Sequence, residues 1–342
     1  MPTFNRRTFL RNSLLLGGGL AVGLPSLRAV HARTRTLTLY SGQHERTTRA
    51  ITEAFTEATG IQVRIRSGNS IQLANQIIEE GRRSPADVFY SEESPPVAAL
   101  AQRDLLSPLS DSTLAQVRQD YVASDGTWAG ITARCRVTVY RPDQVAAEEL
   151  PESVLDMATS EWQNRVAFVP TSGAFQQQII AIKHLRGREA ALNWLKGLKQ
   201  YGRIYNSNMA AMRAVERGEI PTALVNNYYW YIVAREKGVE AMRSKLHFSG
   251  PGDPGALITV SAAGVLKTAA DAEAAQQLIA FMTGTEGQRV LAGAVAEWPM
   301  NPEVQSSFDL KPFDELSPPP VNPADLGGAE DALQLRREAG LA

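Results

Sequence analysis

The sequence predicts a two-lobed α/β fold in which each lobe is a mostly parallel sheet flanked by helices and crossing strands act as the hinge. Its 342 residues suffice for two domains with separate cores. Strand and helix patterns alternate near the start of the chain, and a second region repeats that alternation. The predicted lobes comprise residues 33–135 plus 258–308 and residues 136–257 plus 309–342.

The first lobe begins with an alternating strand pattern, TLTLYSG at 36–42. A helix ending at Gly60, the strand IQVRIRSG, a helix from near Ser70 to Gly81 and the strand ADVFYSE follow. Strands separated by helices predict parallel pairing. In such sheets ligands bind beyond the carboxyl ends of the strands, so the loops SGQHE and YSEE are the places to look.

The second lobe repeats this pattern with other segments. Its predicted strands are RVTVY (136–140), RVAFVP (165–170) and IPTALVNN, and its predicted helices are GAFQQQIIAIKHL, REAALNWLKGLKQY and NMAAMRAVERGE. The long strand GALITVSAAGVL (255–266), the helical segment DAEAAQQLIAFMTGTEGQRVLA and the final helix EDALQLRREAGL follow. The expected crossings are RCRVTVY and GALITVSAAG, and a cleft between lobes joined in this way suits capture by closure.

The first 32 residues are a predicted export signal. Arg6 and Arg7 precede an apolar stretch, and RRTFL is similar to the twin-arginine motif. Val30-His31-Ala32 offers small residues at the positions a signal peptidase reads, so cleavage is expected after residue 32 and the protein in the periplasm. A retained membrane anchor is the alternative, but glycines and a proline interrupt a stretch shorter than the roughly 20 apolar residues that a span needs.

Charge and cysteine content exclude further classes. Loss of the signal removes four arginines and no acid, which changes the net charge from −1 to about −5. No clustered lysines and arginines indicate a nucleic-acid surface, so no nucleic-acid partner is expected. The single cysteine, Cys135, lies in the strand pattern ITARCRVTVY, where we expect a small buried side chain.

Nucleophilic catalysis and zinc binding find little support. The sequence contains no G-x-S-x-G, S-x-x-K, H-E-x-x-H or phosphate-loop motif, so an enzyme is not expected. Only His44, His184 and His247 remain after the signal is removed. His184 lies in a helical pattern and His247 in a short strand, where structural roles are expected. His44 differs because it follows the first strand of a parallel sheet.

Metal capture by oxygen donors finds more support. His44 and Glu92 in one lobe, and Tyr228 and Tyr229 in the other, follow strand ends. Fe³⁺ prefers hard oxygen ligands such as phenolate. Two phenolates and one carboxylate balance its charge, and a neutral histidine leaves two octahedral positions open. The phenol of a free tyrosine titrates near 10, so two neighbouring phenols need a strong local cation to be ionised at neutral pH.

The open positions suit a small bidentate anion, for which VPTSGAF supplies a receptor. A predicted helix begins at this motif, and its dipole favours negative charge at the N-terminus. The groups that would point at an anion there are the Ser172 hydroxyl and the amides of Gly173 and Ala174. Asn208 and Asn226 could donate further hydrogen bonds. By itself TSGAF is equally typical of an ordinary serine N-cap. In the run NNYYWY (226–231), the last two aromatic residues are expected to be core residues at a strand end.

Stretches across residues 36–310 resemble the periplasmic ferric-ion-binding proteins of bacterial iron ABC transporters, two-lobed members of the class II solute-binding fold. The stretches are YSGQH, SPADVFYSEE, WQNRVAFVPTSGAF, ALNWLKGLKQYG, VERGEI, NNYYW, AREKGV and DPGALITVSAAGVLK. By that resemblance the family's iron ligands fall on His44, Glu92, Tyr228 and Tyr229. Its positions for a synergistic anion fall on Ser172, Gly173, Ala174, Asn208 and Asn226.

The resemblance implies a monomer that binds Fe³⁺ with carbonate, phosphate or citrate and delivers it to an ABC permease with its ATPase. Whether Fe³⁺ or Fe²⁺ is the resting ligand is left open. Glu93 departs from the pattern because it stands where we expect glutamine, and Arg134 and Arg136 could compensate its charge or have structural roles. The alternative is a same-fold receptor for a polyamine, thiamine or phosphonate, with the tyrosines as an aromatic box.

Overall fold

The strands form one continuous, curled ladder. The computed structural model describes residues 35–327 and 329–342, apart from the side chains at 324, 325 and 329, and the predicted signal lies outside the described residues. The strands are β1 Thr36–Ser41, β2 Gln62–Ser67, β3 Val88–Ser91, β4 Leu106–Ser107, β5 Ala129–Tyr140, β6 Val166–Phe168, β7 Arg203–Ile204, β8 Thr222–Asn226, β9 Lys245–His247, β10 Ile258–Leu266 and β11 Trp298–Pro299. The helices are α1 Glu45–Thr59, α2 Ser70–Glu80, α3 Ser94–Ala101, α4 Asp111–Leu114, α5 Gly173–Arg186, α6 Arg188–Tyr201, α7 Asn208–Arg217, α8 Tyr228–Lys237, α9 Ala272–Thr283, α10 Thr285–Ala294 and α11 Ala329–Glu338.

Parallel strands lie at both ends of this ladder and antiparallel strands join them. The order is β2-β1-β3-β10-β5-β8-β6-β7, with β4, β9 and β11 alongside. β1 pairs in parallel with β2 and β3, and β6 does so with β7 and β8. We call β2-β1-β3-β10 with residues 129–135 of β5 the first lobe, and β8-β6-β7 with residues 136–140 the second. The predicted α/β architecture is confirmed.

Strand β5 passes from the first lobe to the second between Cys135 and Arg136. Cys135 lies opposite Ile258 of β10, and Arg136 lies opposite Asn226 of β8. Of the two expected crossings, RCRVTVY therefore pairs with both sheets. β10 pairs only within the first lobe, and its link to the junction is the hydrogen bond from Arg136 N to Leu257 O, at 2.9 Å.

Each lobe has its own apolar core. Helices α1, α9 and α10 cover the first sheet, and α5 and α6 cover the second. Fully buried members of the first core include Leu37, Ile51, Phe55, Val260 and Leu278. Those of the second include Phe168, Phe175, Ile179, Leu195 and Leu198. Burial of each such side chain contributes about 1.5–3 kcal/mol to folding, so two independent cores can form.

The C-terminal segment contacts both cores. Leu316 packs in the first core, and Leu335 and Leu341 pack in the second. The predicted lobe boundaries, which assign all of 309–342 to the second lobe, stay a prediction. Within residues 35–327 and 329–342, no helix combines the length and apolar character that a membrane span requires.

The segment DAEAAQQLIAFMTGTEGQRVLA is helical as predicted, and it contains two helices because Gly284 is extended (φ −71°, ψ 163°) and interrupts the helical hydrogen bonds. One local prediction is wrong. Trp230 and Tyr231 are not core residues of a strand end. Asn227 already has helical angles (φ −54°, ψ −42°), so α8 begins directly after β8 and both aromatic side chains are half-buried on that helix.

Candidate metal and anion site

The first-lobe half of the candidate site lies at the ends of β1 and β3. His44 directly precedes α1, and Glu92 follows β3. Parallel pairing of the two strands brings both loops to one edge, and His44 Nε2 lies 3.6 Å from Glu92 Oε1. The two side chains are 43% and 28% exposed, so both can reach a ligand in the cleft.

A glycine allows the close approach that positions Glu92. Ser70 Oγ, at the start of α2, accepts a hydrogen bond of 3.0 Å from the Glu92 backbone amide. A Cβ atom on Gly42 would lie only 2.0 Å from that hydroxyl oxygen. The glycine of the SGQH motif therefore makes room for the serine that orients the next strand-end loop.

The second-lobe half is carried by the first turn of α8. Tyr228 and Tyr229 are consecutive, and their ring centroids are 4.3 Å apart. The ring of Tyr228 meets the ring of His44 edge-on across the cleft, with centroids 5.8 Å apart. The four side chains predicted as metal ligands, two from each lobe, are thus brought together.

Tyr228 is almost completely buried, with 2% of its surface exposed. Burial raises its pKa well above 10, the Tyr229 and Glu92 charges act in the same direction, and Arg134 opposes them. The phenol therefore keeps its proton at neutral pH until a cation replaces that proton.

The predicted anion receptor surrounds the N-terminus of α5. Ser172 is the N-cap residue, but its side chain accepts no capping hydrogen bond. Asn208 Nδ2 instead donates to Ser172 Oγ at 3.0 Å and to Tyr229 Oη at 3.3 Å. The Oδ1 of Asn226 accepts a hydrogen bond from Arg136 Nη1 at 3.2 Å. The serine hydroxyl is accordingly not used as an ordinary helix cap.

Two buried arginines lie on either side of the crossover in β5. Arg134 Nη2 lies 3.8 Å from Glu92 Oε1 and donates to the Glu92 carbonyl, and its Nη1 lies 3.7 Å from Glu297 Oε2. Arg136 Nε donates to Gln178 Oε1 at 3.1 Å, and its buried Nη2 has no hydrogen-bond partner within the described residues. Burial lowers the pKa of Arg136 to about 10, so it stays charged at neutral pH.

Sequence reasoning missed two residues of this region. Asn227 is fully buried, accepts from Cys135 N at 3.1 Å and donates to Ala296 O at 2.9 Å, which ties the start of α8 to the crossover. Glu297 faces Arg134 and accepts from Thr132 Oγ1. For Asn227, the doubled asparagine in NNYYWY was the available indication of a role. Glu297 is a single acidic residue in AEWPM, and no pattern around it indicated one.

Glu93 reaches across the cleft to the anion receptor. A Cβ atom on Gly173 would lie 2.2 Å from Glu93 Oε1, so the carboxylate lies directly against the first residue of α5. Burial and then the Glu92 charge raise the pKa of Glu93 to about 7, and Arg134 opposes this. Glu93 and Gly173 also line one end of a cavity of about 460 Å³.

The donor set differs from that of a histidine or carboxylate cluster. Across the residues that the structure describes, no group of three or more His, Cys, Asp and Glu side chains could hold a metal ion. The side chains gathered here are one imidazole, one carboxylate and two phenols. Three oxygen donors and one nitrogen suit a hard trivalent cation.

Comparisons with known proteins agree on one class. The family model of bacterial extracellular solute-binding proteins matches residues 50–314. The chain is 45% identical over 329 residues to the major ferric iron-binding protein of Neisseria meningitidis, which covers 96% of this chain and 97% of that protein. It is 36% identical over 306 residues to the Fe(3+)-binding periplasmic protein of Serratia marcescens, with 89% and 90% covered. The structure of iron-bound HitA from Pseudomonas aeruginosa superposes with a TM-score of 0.86 at 51% identity, covering 90% of this chain and all of that one.

Proposed function

This chain belongs to the bacterial extracellular solute-binding protein family, and from that premise we propose that it captures ferric iron between its lobes for uptake. The observation that carries the proposal is the pairing of Tyr228 and Tyr229 beside His44 and Glu92. This is the donor chemistry that Fe³⁺ prefers. The relatives that bear ferric iron-binding names, at 36–45% identity over most of both chains, support the same ligand.

Capture proceeds by closure. In an open protein each lobe presents two ligands, and the ion completes its shell when the lobes approach. The Tyr228 phenol loses its proton as iron binds, because only the cation offsets the burial that raises its pKa. Asn208 donates to the Tyr229 oxygen, which suits a phenolate acceptor. The neighbouring arginine charges limit the repulsion among the anionic ligands.

The remaining coordination positions face the N-terminus of α5. Ser172, Gly173, Ala174 and Asn208 form a receptor there for an anionic group beside the iron, for which the sequence suggests carbonate, phosphate or citrate. Asn226 completes the proposed receptor, and its Oδ1 accepts a hydrogen bond from Arg136 Nη1.

The protein releases the ion unchanged and carries out no chemical turnover. We propose that twin-arginine export places it in the periplasm, where it works as a monomer. An inner-membrane permease with its ATPase then receives the iron. The periplasmic iron-binding relative of Serratia marcescens supports the location.

The visible spectrum tests the proposal. Purified protein loaded with Fe³⁺ is expected to show a phenolate-to-iron charge-transfer band, which a strong chelator removes. A colourless protein under oxidising conditions would refute ferric binding by the tyrosines. If a polyamine, thiamine or a phosphonate bound instead, with no dependence on His44, the same-fold organic receptor would replace the iron carrier.

A further inference from the structure

We propose that the Glu93 carboxylate occupies the anion receptor at the N-terminus of α5, so that this protein supplies its own anion and needs no exogenous one beside the iron. This inference deepens the proposed function and rests on it for the role of an anion next to Fe³⁺. The receptor itself and the position of Glu93 are features of the fold that can be tested without iron.

The first support is the contact across the cleft. Glu93 belongs to the loop after β3 in the first lobe, whereas Gly173 begins α5 in the second. With a Cβ position on Gly173 only 2.2 Å from Glu93 Oε1, no side chain larger than hydrogen fits between them. The carboxylate therefore lies directly against the first residue of α5, next to the amides of the proposed receptor.

The second support is the unmet hydrogen-bonding capacity of both partners. The first amides of a helix have no intrahelical acceptor, and the Ser172 side chain does not cap α5. Among the described residues, no side chain or backbone amide donates a hydrogen bond to the Glu93 carboxylate; its own amide is bonded to Ser91 Oγ at 3.3 Å. The carboxylate thus lies close to helix amides that have no other acceptor, without a hydrogen bond to them in this structure. A helix N-terminus stabilises negative charge at such a position.

The third support is the charge of the iron-bound site. Its anionic groups are the carboxylates of Glu92, Glu93 and Glu297 and the phenolates of Tyr228 and Tyr229. Its cationic groups are Arg134, Arg136 and the trivalent ion. With the Glu93 carboxylate included, these formal charges sum to zero. An added phosphate or carbonate would therefore give the buried site a net negative charge, and an unbalanced charge is costly at low dielectric.

The consequence is discrimination against exogenous anions. A glutamine at position 93 is neutral and would leave the receptor to a bound anion. Glutamate fills the receptor and repels a second anion at the same place. Iron capture by this protein is then independent of the phosphate concentration around it.

The experiment compares the wild-type protein with Glu93→Gln. Phosphate binding to the iron-free proteins is measured by calorimetry, and Fe³⁺ affinity is measured by competition with a hydroxamate chelator in carbonate-free buffer, with and without millimolar phosphate. Glu57→Gln is the matched control, because Glu57 is exposed in the last turn of α1, whereas the site residue His44 precedes the first turn of that helix. Thermal melts establish that all three proteins are folded.

We expect wild-type protein and the Glu57→Gln control to bind no phosphate and to keep their iron affinity when phosphate is added. Glu93→Gln should bind phosphate without iron, and phosphate should raise its iron affinity by about tenfold or more, as for linked ligands in general. If phosphate raised the iron affinity of the wild-type protein and of Glu93→Gln equally, the proposal would be overturned. That outcome includes the case in which Glu93 is protonated and donates a hydrogen bond to a bound anion.

The outcomes separate this inference from the proposed function. If no protein binds iron with a charge-transfer band, but only Glu93→Gln binds phosphate, ferric capture is wrong and the occupation of the receptor by Glu93 stands. If wild-type protein binds iron with the band only when phosphate is present, ferric capture stands and this inference fails.

Discussion

The two halves of the candidate site are built differently. The first-lobe half consists of His44 and Glu92 on strand-end loops, which are 43% and 28% exposed. The second-lobe half lies on the first turns of α5, α7 and α8, where Tyr228 is 2% exposed and Asn208 joins Ser172 to Tyr229. The second half is therefore organised before a ligand arrives, and the first half is suited to closing over it.

Loss of a phenol from the organised half is expected to have the largest effect. Tyr228→Phe removes the buried oxygen of a proposed ligand, so iron affinity should fall by more than the roughly 10- to 100-fold typical of changes outside the coordination shell, and the visible band should weaken. Chelator competition and absorption spectra measure both. Tyr201→Phe, at the end of α6, is the control, and a Tyr228→Phe protein with wild-type affinity and colour would contradict the ligand assignment.

A substitution at Gly42, next to the first-lobe half of the site, should weaken iron binding by displacing a loop rather than by removing a ligand. Gly42→Ala places a methyl group against Ser70 Oγ, which would be 2.0 Å away, and displaces the loop that holds Glu92. We expect a loss of about 1–3 kcal/mol in the free energy of unfolding, as for overpacked cores, together with weaker iron binding. Gly293→Ala is the matched control because, apart from its chain neighbours and the backbone of its own helix, no described heavy atom lies within 4 Å of the added Cβ. Equal stability of the two variants in urea unfolding would show that Gly42 is not constrained.

The pH dependence of iron binding tests whether the buried phenol of Tyr228, in the second-lobe half of the site, loses its proton. Burial raises the pKa of Tyr228 well above its usual value, so the iron-free protein holds this proton throughout the neutral range. Iron binding releases it, and affinity should fall about tenfold for each pH unit lowered, for each proton released. Competition titrations corrected for chelator protonation measure this slope. It should be shallower in Tyr228→Phe, and an unchanged slope would place the released proton elsewhere.

The smallest expected effect concerns the link between the receptor and the tyrosines. Asn208→Ala removes the donor shared by Ser172 Oγ and Tyr229 Oη while leaving all four proposed ligands in place. Iron affinity should fall by about tenfold, the lower end of effects for groups that orient ligands. The charge-transfer band should shift rather than disappear. If affinity and spectrum both stay at wild-type values, the second half does not depend on this link.

Local patterns in the sequence predict most of the secondary structure. The alternation of strands and helices correctly predicts the parallel pairing of β1 with β2 and β3, and the strand-end loops place His44 and Glu92 at one edge. The single cysteine is buried in β5 as expected. These features depend on neighbours along the chain, which a sequence pattern records directly.

Contacts between distant segments could not be predicted in the same way. The pairing of Arg134 with Glu297, and the approach of Glu93 to Gly173, join residues far apart in sequence and depend on how the lobes meet. The sequence predicts Trp230 and Tyr231 at a strand end, because they follow the buried strand pattern IPTALVNN. Helical angles at Asn227 override that pattern and place the two tyrosines on a helix turn.

The shared strand β5 has a further consequence for charge. Cys135 pairs with the first sheet and Arg136 with the second, so an opening motion at this point turns one residue against the next. Arg134 would then move with Glu92, and Arg136 would move with Asn226. Each face of an opened cleft keeps one arginine beside its own anionic or polar partner, so separating the lobes does not pull Arg134 from Glu92 or Arg136 from Asn226.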